Sequence, residues 1–288
     1  MSERIDVLKT YKTYVGGKFP RSESGRTYKV YDADKNLLAN ACQCSRKDFR
    51  AAVRVARSAV KGWSSRSAYN RGQILYRIAE MMEDRREQFV RELSRAGSTT
   101  QQAEAEVNAA IDRLIYYTGW TDKYQQVFGS VNPVASSHFN FSLLEPTGVV
   151  SIFAPEESPL LGLVSVISPV IAGGNTCVVL ASGNQPLPAI TFAEVLNSSD
   201  VPGGVVNILT GYREELAEHF SSHMDVNALF YTDTLTKETE KLIDEHAARN
   251  IKRVIKRPID DWYSEEAQHP YLLTDFQETK TTWHPVGY

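Results

Sequence analysis

The chain has 288 residues, enough for one large domain or two modest ones with a buried core. Its composition is 42% hydrophobic and 23% charged with a net charge of -3, which excludes a disordered chain and argues against a nucleic acid partner. The longest apolar stretch, residues 160–172, is shorter than the roughly 20 residues that a membrane helix needs. We therefore expect no membrane span, and because the first residues carry no secretory signal we expect a cytoplasmic protein.

The first part of the chain predicts a small β segment followed by helices. Gly16 and Gly17 can form the tight turn of a hairpin, and residues 27–31 form a second extended run. Between residues 46 and 128 apolar side chains recur at helical spacing without a strong breaker. We assign residues 1–127 to a hairpin and a layer of several long helices.

Two separate segments predict an extended arm. The helical period stops after residue 128, and residues 138–143 alternate with period two, so residues 128–147 are assigned to the arm. The C-terminal segment 271–288 contains a β-prone run at 276–283. An isolated terminal strand of this kind needs another strand to pair with.

The segment 148–257 alternates between strands and helices, which is typical of a doubly wound parallel sheet. The predicted strands are residues 149–153, 177–180, 205–209 and 228–231. One helix should begin with Ser158 as its N-cap and Pro159 as its first residue and end at Gly173 and Gly174. Further helices are predicted near residues 189–196, 214–220 and 236–248. Residues 258–270 form a short polar connector to the terminal run.

Several motifs in this region strongly resemble the aldehyde dehydrogenase superfamily. They are Glu145-Pro146-Thr147-Gly148, Ser158-Pro159-Leu160-Leu161, Ala172-Gly173-Gly174-Asn175-Thr176 and Pro202-Gly203-Gly204-Val205-Val206-Asn207. The resemblance extends back through the helical layer and forward to Lys280-Thr281-Thr282-Trp283, which is similar to the family's C-terminal oligomerisation strand. It implies an α/β fold with a Rossmann-like, nucleotide-binding-type domain, an N-terminal helical layer and a β oligomerisation arm.

The resemblance also implies that one domain is missing. In the family, the catalytic domain with its cysteine nucleophile lies between the last strand of the cofactor domain and the terminal strand. Here only the short connector fills that interval, and it contains no cysteine. The chain is therefore most similar to the catalytically incomplete C-terminal half of the two-module family sixteen aldehyde dehydrogenases.

No residue is predicted to be catalytic or to bind a metal. Cys42, Cys44 and Cys177 are expected to be packing residues, because free cysteine is usually buried, Cys177 lies in an apolar run, and the pair Cys42 and Cys44 has no histidine nearby. The resemblance places Glu157 where the family has the asparagine that donates to the oxyanion, and an ionised carboxylate cannot donate a hydrogen bond. The six histidines are scattered and suggest no metal site.

The resemblance indicates that the cofactor site is degenerate. Asp233 and Glu238 replace the two glycines of the family's phosphate-binding turn, and Leu180 and Gly183 replace its adenosine-side lysine and glutamate. We therefore expect no cofactor, with NAD binding weak or lost. Each acidic residue also has a structural interpretation, in which Glu157 and its neighbour Glu156 are solvated loop acids and Asp233 helps to start a helix.

These features predict a pseudoenzyme, a structural or regulatory subunit that assembles with a full-length aldehyde dehydrogenase subunit or as a homo-oligomer. The expected interface residues are Phe139, Phe141, Phe276, Thr279, Lys280, Thr281 and Trp283. Two alternatives stay open: an NAD(P)-dependent aldehyde dehydrogenase component with oxidoreductase activity in a complex, and a nucleotide-binding sensor. The loss of glycines argues against the sensor, and the absent nucleophile argues against the component unless a partner supplies it.

Overall fold

The computed structural model describes residues 9–287, and it has a small N-terminal sheet, a helical layer, a central parallel sheet and a three-stranded arm. Residues 1–8 of the predicted N-terminal unit and residue 288 of the predicted arm lie outside the described residues. The strands are β1 Thr10–Tyr11, β2 Thr27–Tyr31, β3 Leu37–Cys42, β4 Ser130–Asn132, β5 His138–Pro146, β6 Val149–Phe153, β7 Thr176–Leu180, β8 Val206–Leu209, β9 Ala228–Tyr231, β10 Arg253–Lys256 and β11 Gln277–Pro285. The helices are α1 Arg46–Ser64, α2 Ala68–Asp84, α3 Arg86–Arg95, α4 Thr100–Trp120, α5 Tyr124–Phe128, α6 Leu161–Ala172, α7 Leu187–Asn197, α8 Arg213–Ser222, α9 Lys237–Ala247 and α10 Tyr271–Thr274.

The predicted hairpin is reduced to a tight turn that attaches to the central sheet. Gly16 and Gly17 both have positive φ, as this turn requires, but only Val15 and Lys18 pair across it. Tyr14 instead exchanges two backbone hydrogen bonds with Ile208 of β8, at N···O distances of 2.8 and 2.7 Å. These two hydrogen bonds attach the turn to β8, which is an edge strand of the central sheet.

The helical layer, α1 to α5, confirms the prediction for residues 46–128, and α1, α2 and α4 begin at side-chain caps. Ser45 and Asp48 form a capping box at the start of α1, and Thr99 and Gln102 form one at the start of α4. These caps satisfy backbone N–H groups that would otherwise have no partner in the first turn.

The central sheet is parallel throughout, with strand order β10-β9-β6-β7-β8, which confirms the doubly wound α/β fold. Helices α6 and α7 and the layer α2 to α4 cover one face, and α1, α8 and α9 cover the other. Burial on both faces explains why every residue of β6, β7, β8 and β9 is buried and why most of these residues are apolar. After β6 the chain adds β7 and β8 on one side of β6, and it then adds β9 and β10 on the other side. The direction of winding therefore reverses between β6 and β9, and a crevice forms at the C-terminal ends of these two strands.

Helix α6 begins later than the sequence predicts. It starts at Leu161, Leu160 is at the N-cap position, and Ser158 does not cap it. The carboxylate of Glu106, on α4, instead accepts hydrogen bonds from the backbone N–H groups of Leu160 and Leu161, with N···O distances of 3.0 and 3.1 Å, and from the Ser158 hydroxyl. The Glu106 carboxylate on the neighbouring helix therefore accepts hydrogen bonds from the first N–H groups of α6, as the predicted cap Ser158 was expected to do. The predicted end at Gly173 and Gly174 is confirmed.

The arm is an antiparallel sheet with strand order β11-β5-β4. The strand that the terminal segment needs as a partner is supplied by the same chain, because β11 pairs along its whole length with β5. Phe276 precedes this strand and is fully buried, with its ring 5.2 Å from that of Phe230, so it belongs to the core and not to an exposed interface. Of the predicted arm segment 271–288, residues 271–274 form α10.

The connector is packed against the helical layer by one buried arginine. Arg113 of α4 donates to the carbonyl oxygens of Trp262 and Ala267 and to the hydroxyl of Ser165 on α6. Trp262 and Ala267 are themselves buried. Within residues 9–287, no helix combines the length and the apolar character needed to span a membrane.

Candidate functional site

The candidate site is the crevice at the C-terminal edge of the parallel sheet, where ligands bind in open α/β folds. Its walls are the loops that follow four strands, at residues 154–160, 181–186, 210–212 and 232–236. Strand order fixes this arrangement, because β6 lies between β7 and β9 and all of these strands point the same way.

Arg213, the first residue of α8, extends across the crevice. Its Nη2 donates to the carbonyl oxygen of Ala154 at 3.0 Å and to Oδ2 of Asp233 at 2.7 Å. The same nitrogen lies 3.6 Å from Oε1 of Glu156, and the guanidinium carbon lies 5.5 Å from the centre of the Phe153 ring. Only 14% of the Arg213 side chain is exposed. One guanidinium therefore joins the loops after β6 and β9.

Glu156 occupies the neighbouring part of the crevice. Its carboxylate accepts hydrogen bonds from the Ser182 hydroxyl at 2.7 Å and from the backbone N–H groups of Gly183 and Asn184 at 3.1 and 3.2 Å. The interpretation of Glu156 as a solvated loop acid is therefore wrong, since these donors after β7 need an acceptor and the carboxylate provides one. Glu157 is exposed, as that interpretation expects.

The structure brings together some of the predicted cofactor positions and separates others. Leu180 is buried at the end of β7, and Gly183 lies beneath the carboxylate of Glu156, where an added Cβ would be 3.8 Å from Oε1. Asp233 contacts Arg213 and does not start a helix, because α9 begins at Lys237 with Thr236 as its N-cap. Glu238 is exposed in the first turn of α9 and has no part in the crevice network.

The three cysteines are all buried. Cys44 and Cys177 are fully buried, Cys42 is 2% exposed, and burial raises the pKa of the Cys44 and Cys177 thiols. A buried thiol with a raised pKa carries little thiolate and is a poor nucleophile. In residues 9–287 no group of three or more His, Cys, Asp or Glu side chains could hold a metal ion.

The predicted interface residues other than Phe276 lie on the arm. Phe139 and Trp283 are about half exposed and Phe141 is partly buried. Thr279, Lys280 and Thr281 are exposed on β11; Lys280 forms an ion pair with Glu145, and the Thr281 hydroxyl lies 2.8 Å from that of Ser142. Because side chains alternate across a sheet, Phe139, Phe141 and Leu143 of β5 share one face with Val131 of β4. We call these four residues the apolar arm face.

Sequence reasoning did not identify Arg213, Glu106 or Arg113. Arg213 follows Gly211 and Tyr212 directly after a predicted strand, a position at the ligand-binding edge of a parallel sheet that could have marked it. Glu106 and Arg113 lie in a helix with no local signal, and their roles come from contacts more than 50 residues away in sequence.

Comparisons with known proteins agree with this architecture. A sequence profile of the aldehyde dehydrogenase family matches residues 19–256. The chain is similar to cytosolic aldehyde dehydrogenase 1 of Elephantulus edwardii, with 32% identity over 250 residues that cover 84% of this chain and 49% of that protein. It is similar in structure to an aldehyde dehydrogenase from Bacillus cereus solved as an NAD+ complex, with a TM-score of 0.80, 27% identity, and coverage of 86% of this chain and 50% of that one.

A second solved structure, PnpE from Pseudomonas sp. WBC-3, gives a TM-score of 0.82 at 27% identity, covering 87% of this chain and 51% of that chain. The chain thus spans about half the length of the relatives it matches. The residues that match the family profile include the helical layer, the parallel sheet and strands β4 and β5 of the arm. This chain belongs to the aldehyde dehydrogenase family.

Proposed function

We propose that this chain is a non-catalytic member of its family, a cytoplasmic structural or regulatory subunit that assembles with a complete aldehyde dehydrogenase. The observation that carries the proposal is the position of Arg213, whose guanidinium lies in the crevice and binds Ala154 and Asp233. Because Arg213 connects the loops on the two sides of the crevice, the crevice is a poor site for a dinucleotide.

The charges around Arg213 also argue against NAD. A dinucleotide brings a negatively charged pyrophosphate, which other proteins bind with backbone N–H groups at a helix N-terminus. Here the carboxylates of Glu156 and Asp233 lie in the crevice, and Glu156 accepts the N–H groups of residues 183 and 184. Repulsion between two negative groups at about 4 Å in a partly solvated site costs on the order of a few kcal/mol.

The absence of a nucleophile supports the same proposal. Each cysteine is buried, and residues 257–276, between β10 and β11, contain no cysteine. In the likeness to the incomplete half of the family sixteen proteins, this interval is where a catalytic domain would be inserted. The connector is packed onto the body through Arg113, so it forms part of the folded core.

The arm is the proposed contact with a complete subunit. Val131 is 68% exposed and Phe139 and Leu143 are each 46% exposed, so the apolar arm face presents three large side chains to the exterior. The outer edge of β11 has no neighbouring strand among residues 9–287, and an edge strand beside an apolar face is a template for pairing with another chain.

The proposal is tested by co-expression of the full chain with each complete aldehyde dehydrogenase of its source organism, followed by native mass spectrometry. We expect a mixed oligomer, and we expect the double variant Phe139→Ser with Leu143→Ser to lose it while keeping its circular dichroism spectrum. Tyr76→Ser with Met224→Ser, which removes two exposed apolar side chains elsewhere, is the matched control and should leave assembly unchanged.

The isolated chain should also produce no NADH from aldehydes and NAD+, because it lacks an accessible thiolate. Turnover that persists after repurification, or a chain that is monomeric with every candidate partner, would reject the proposal. Activity that is present only in the mixed oligomer and is lost when a crevice residue of this chain is changed would favour the alternative of an NAD(P)-dependent component.

A further inference from the structure

We infer that the crevice contains an anion-binding site whose occupant is the side chain of Glu156, and that this residue excludes phosphate-bearing ligands from the chain. The inference rests on the proposed function and deepens it, because it names the residue that closes the crevice. No position of the family resemblance assigns such a role to residue 156.

Three hydrogen-bond donors and one guanidinium surround the Glu156 carboxylate from two sides. The Ser182 hydroxyl and the N–H groups of Gly183 and Asn184 approach from the loop after β7, at 2.7, 3.1 and 3.2 Å. The Arg213 guanidinium approaches from α8, with Nη2 at 3.6 Å from Oε1. Two consecutive backbone N–H groups, a hydroxyl and an arginine are the donors that proteins use to bind phosphate.

The surroundings of the Glu156 carboxylate include a glycine and a buried tyrosine. Gly183 has no side chain, and the nearest atoms to an added Cβ are Gly211 O at 3.7 Å and Glu156 Oε1 at 3.8 Å. Tyr28, 8% exposed, has a hydroxyl with no partner among residues 9–287. Its pKa is raised mainly by burial and further by nearby groups that include Tyr212 and Glu156. An unpartnered donor therefore lies within electrostatic reach of the carboxylate.

The inference predicts that phosphate binds at this site only when the Glu156 carboxylate does not occupy it. With Glu156 present, its carboxylate satisfies the donors and adds a negative charge that repels phosphate. With Glu156 shortened to alanine, three neutral donors face open space beside an arginine that stays bound to Asp233. Phosphate can then take the place of the carboxylate.

The test is calorimetric titration of inorganic phosphate into the full-length chain and three variants. Glu156→Ala should bind one phosphate at least about tenfold more tightly than the wild-type chain. Glu156→Gln, which keeps the volume and removes the charge, should stay close to wild type, as should Glu157→Ala, whose exposed side chain lies outside the network. Adding Ser182→Ala to Glu156→Ala should remove most of the gain.

Equal phosphate binding by the wild-type chain and Glu156→Ala would overturn the inference, and so would an equal gain in Glu156→Gln. If Glu156→Ala does not fold, hydrogen exchange of the wild-type chain decides instead. The amides of residues 183 and 184 should then be protected, and exchange at the rate of unprotected amides would reject the inference. None of these outcomes depends on a partner subunit or on aldehyde oxidation, so failure here is distinct from failure of the proposed function.

Discussion

Lys252 illustrates how burial changes the chemistry of a single charged residue. The basic sequence around it suggests a solvated strand edge, but the side chain is only 7% exposed. Its Nζ donates to the carbonyl oxygens of Ser221 and His223 at 2.6 and 2.9 Å, at the C-terminal end of α8. A cation suits this end of a helix, yet burial lowers the pKa of Lys252 to about 8.

This shift gives a pH dependence with a definite sign. The folded-state pKa of about 8 lies below the ordinary value of 10.5, so between these pH values the unfolded chain binds more protons and stability rises with pH. Relative to Lys252→Met, the wild-type chain should gain on the order of 2 kcal/mol between about pH 7.5 and pH 9.5. Urea denaturation of both proteins at the two pH values measures this difference. A constant difference would contradict the account, and Lys237→Met, which changes an exposed lysine, is the control.

The crevice residues show which site features a sequence can predict. The resemblance assigns Asp233 and Gly183 to the family's cofactor positions, and in the structure each follows a strand of the parallel sheet at its C-terminal edge. The roles of Glu156 and Arg213 could not be derived in this way. These roles depend on the directions of two side chains, one in the loop after β6 and one at the start of α8. No local sequence pattern predicts that the two side chains lie in contact.

At the level of elements, the connector depends on Arg113. Its guanidinium is the hydrogen-bond partner of the carbonyl oxygens of Trp262 and Ala267, both in buried residues. A buried carbonyl without a partner costs about 1–3 kcal/mol. The segment is thus fixed to α4 by a few strong contacts, although it lies outside the residues that match the family profile.

Arg113→Met should therefore loosen the connector more than the body. We expect a loss of about 2 kcal/mol or more in the free energy of unfolding, and faster chymotrypsin cleavage after Trp262 or Tyr263. Mass spectrometry of the fragments identifies the cleaved bond. Arg249→Met, at an exposed arginine, should leave both quantities unchanged, and an intact connector in Arg113→Met would show that other contacts hold it.

Most elements could be predicted because their patterns are local. The strands of the parallel sheet are short apolar runs between turn residues, and α1 and α4 carry their own capping boxes. The prediction failed where a distant residue decides the outcome. Glu106, on α4, replaces Ser158 as the cap of α6.

For the whole molecule, the fold follows that of the family, whereas the contacts in the crevice come from particular side chains of this chain. The fold follows from the family, with the parallel sheet covered on both faces and the arm extending from its edge. In the crevice, Arg213 contacts the carboxylates of both Asp233 and Glu156, at 2.7 and 3.6 Å. In the proposed function, the family scaffold serves as a surface for assembly and the crevice takes up no dinucleotide.

The most direct test of the closed crevice is calorimetric titration of the full-length chain with NAD+ and NADP+, with a complete aldehyde dehydrogenase as the positive control. The account predicts no saturable binding of either cofactor to this chain at concentrations that saturate the control. Saturable one-to-one binding with an affinity near that of the control would contradict it, because the network of Arg213, Glu156 and Asp233 would then have to open for a dinucleotide.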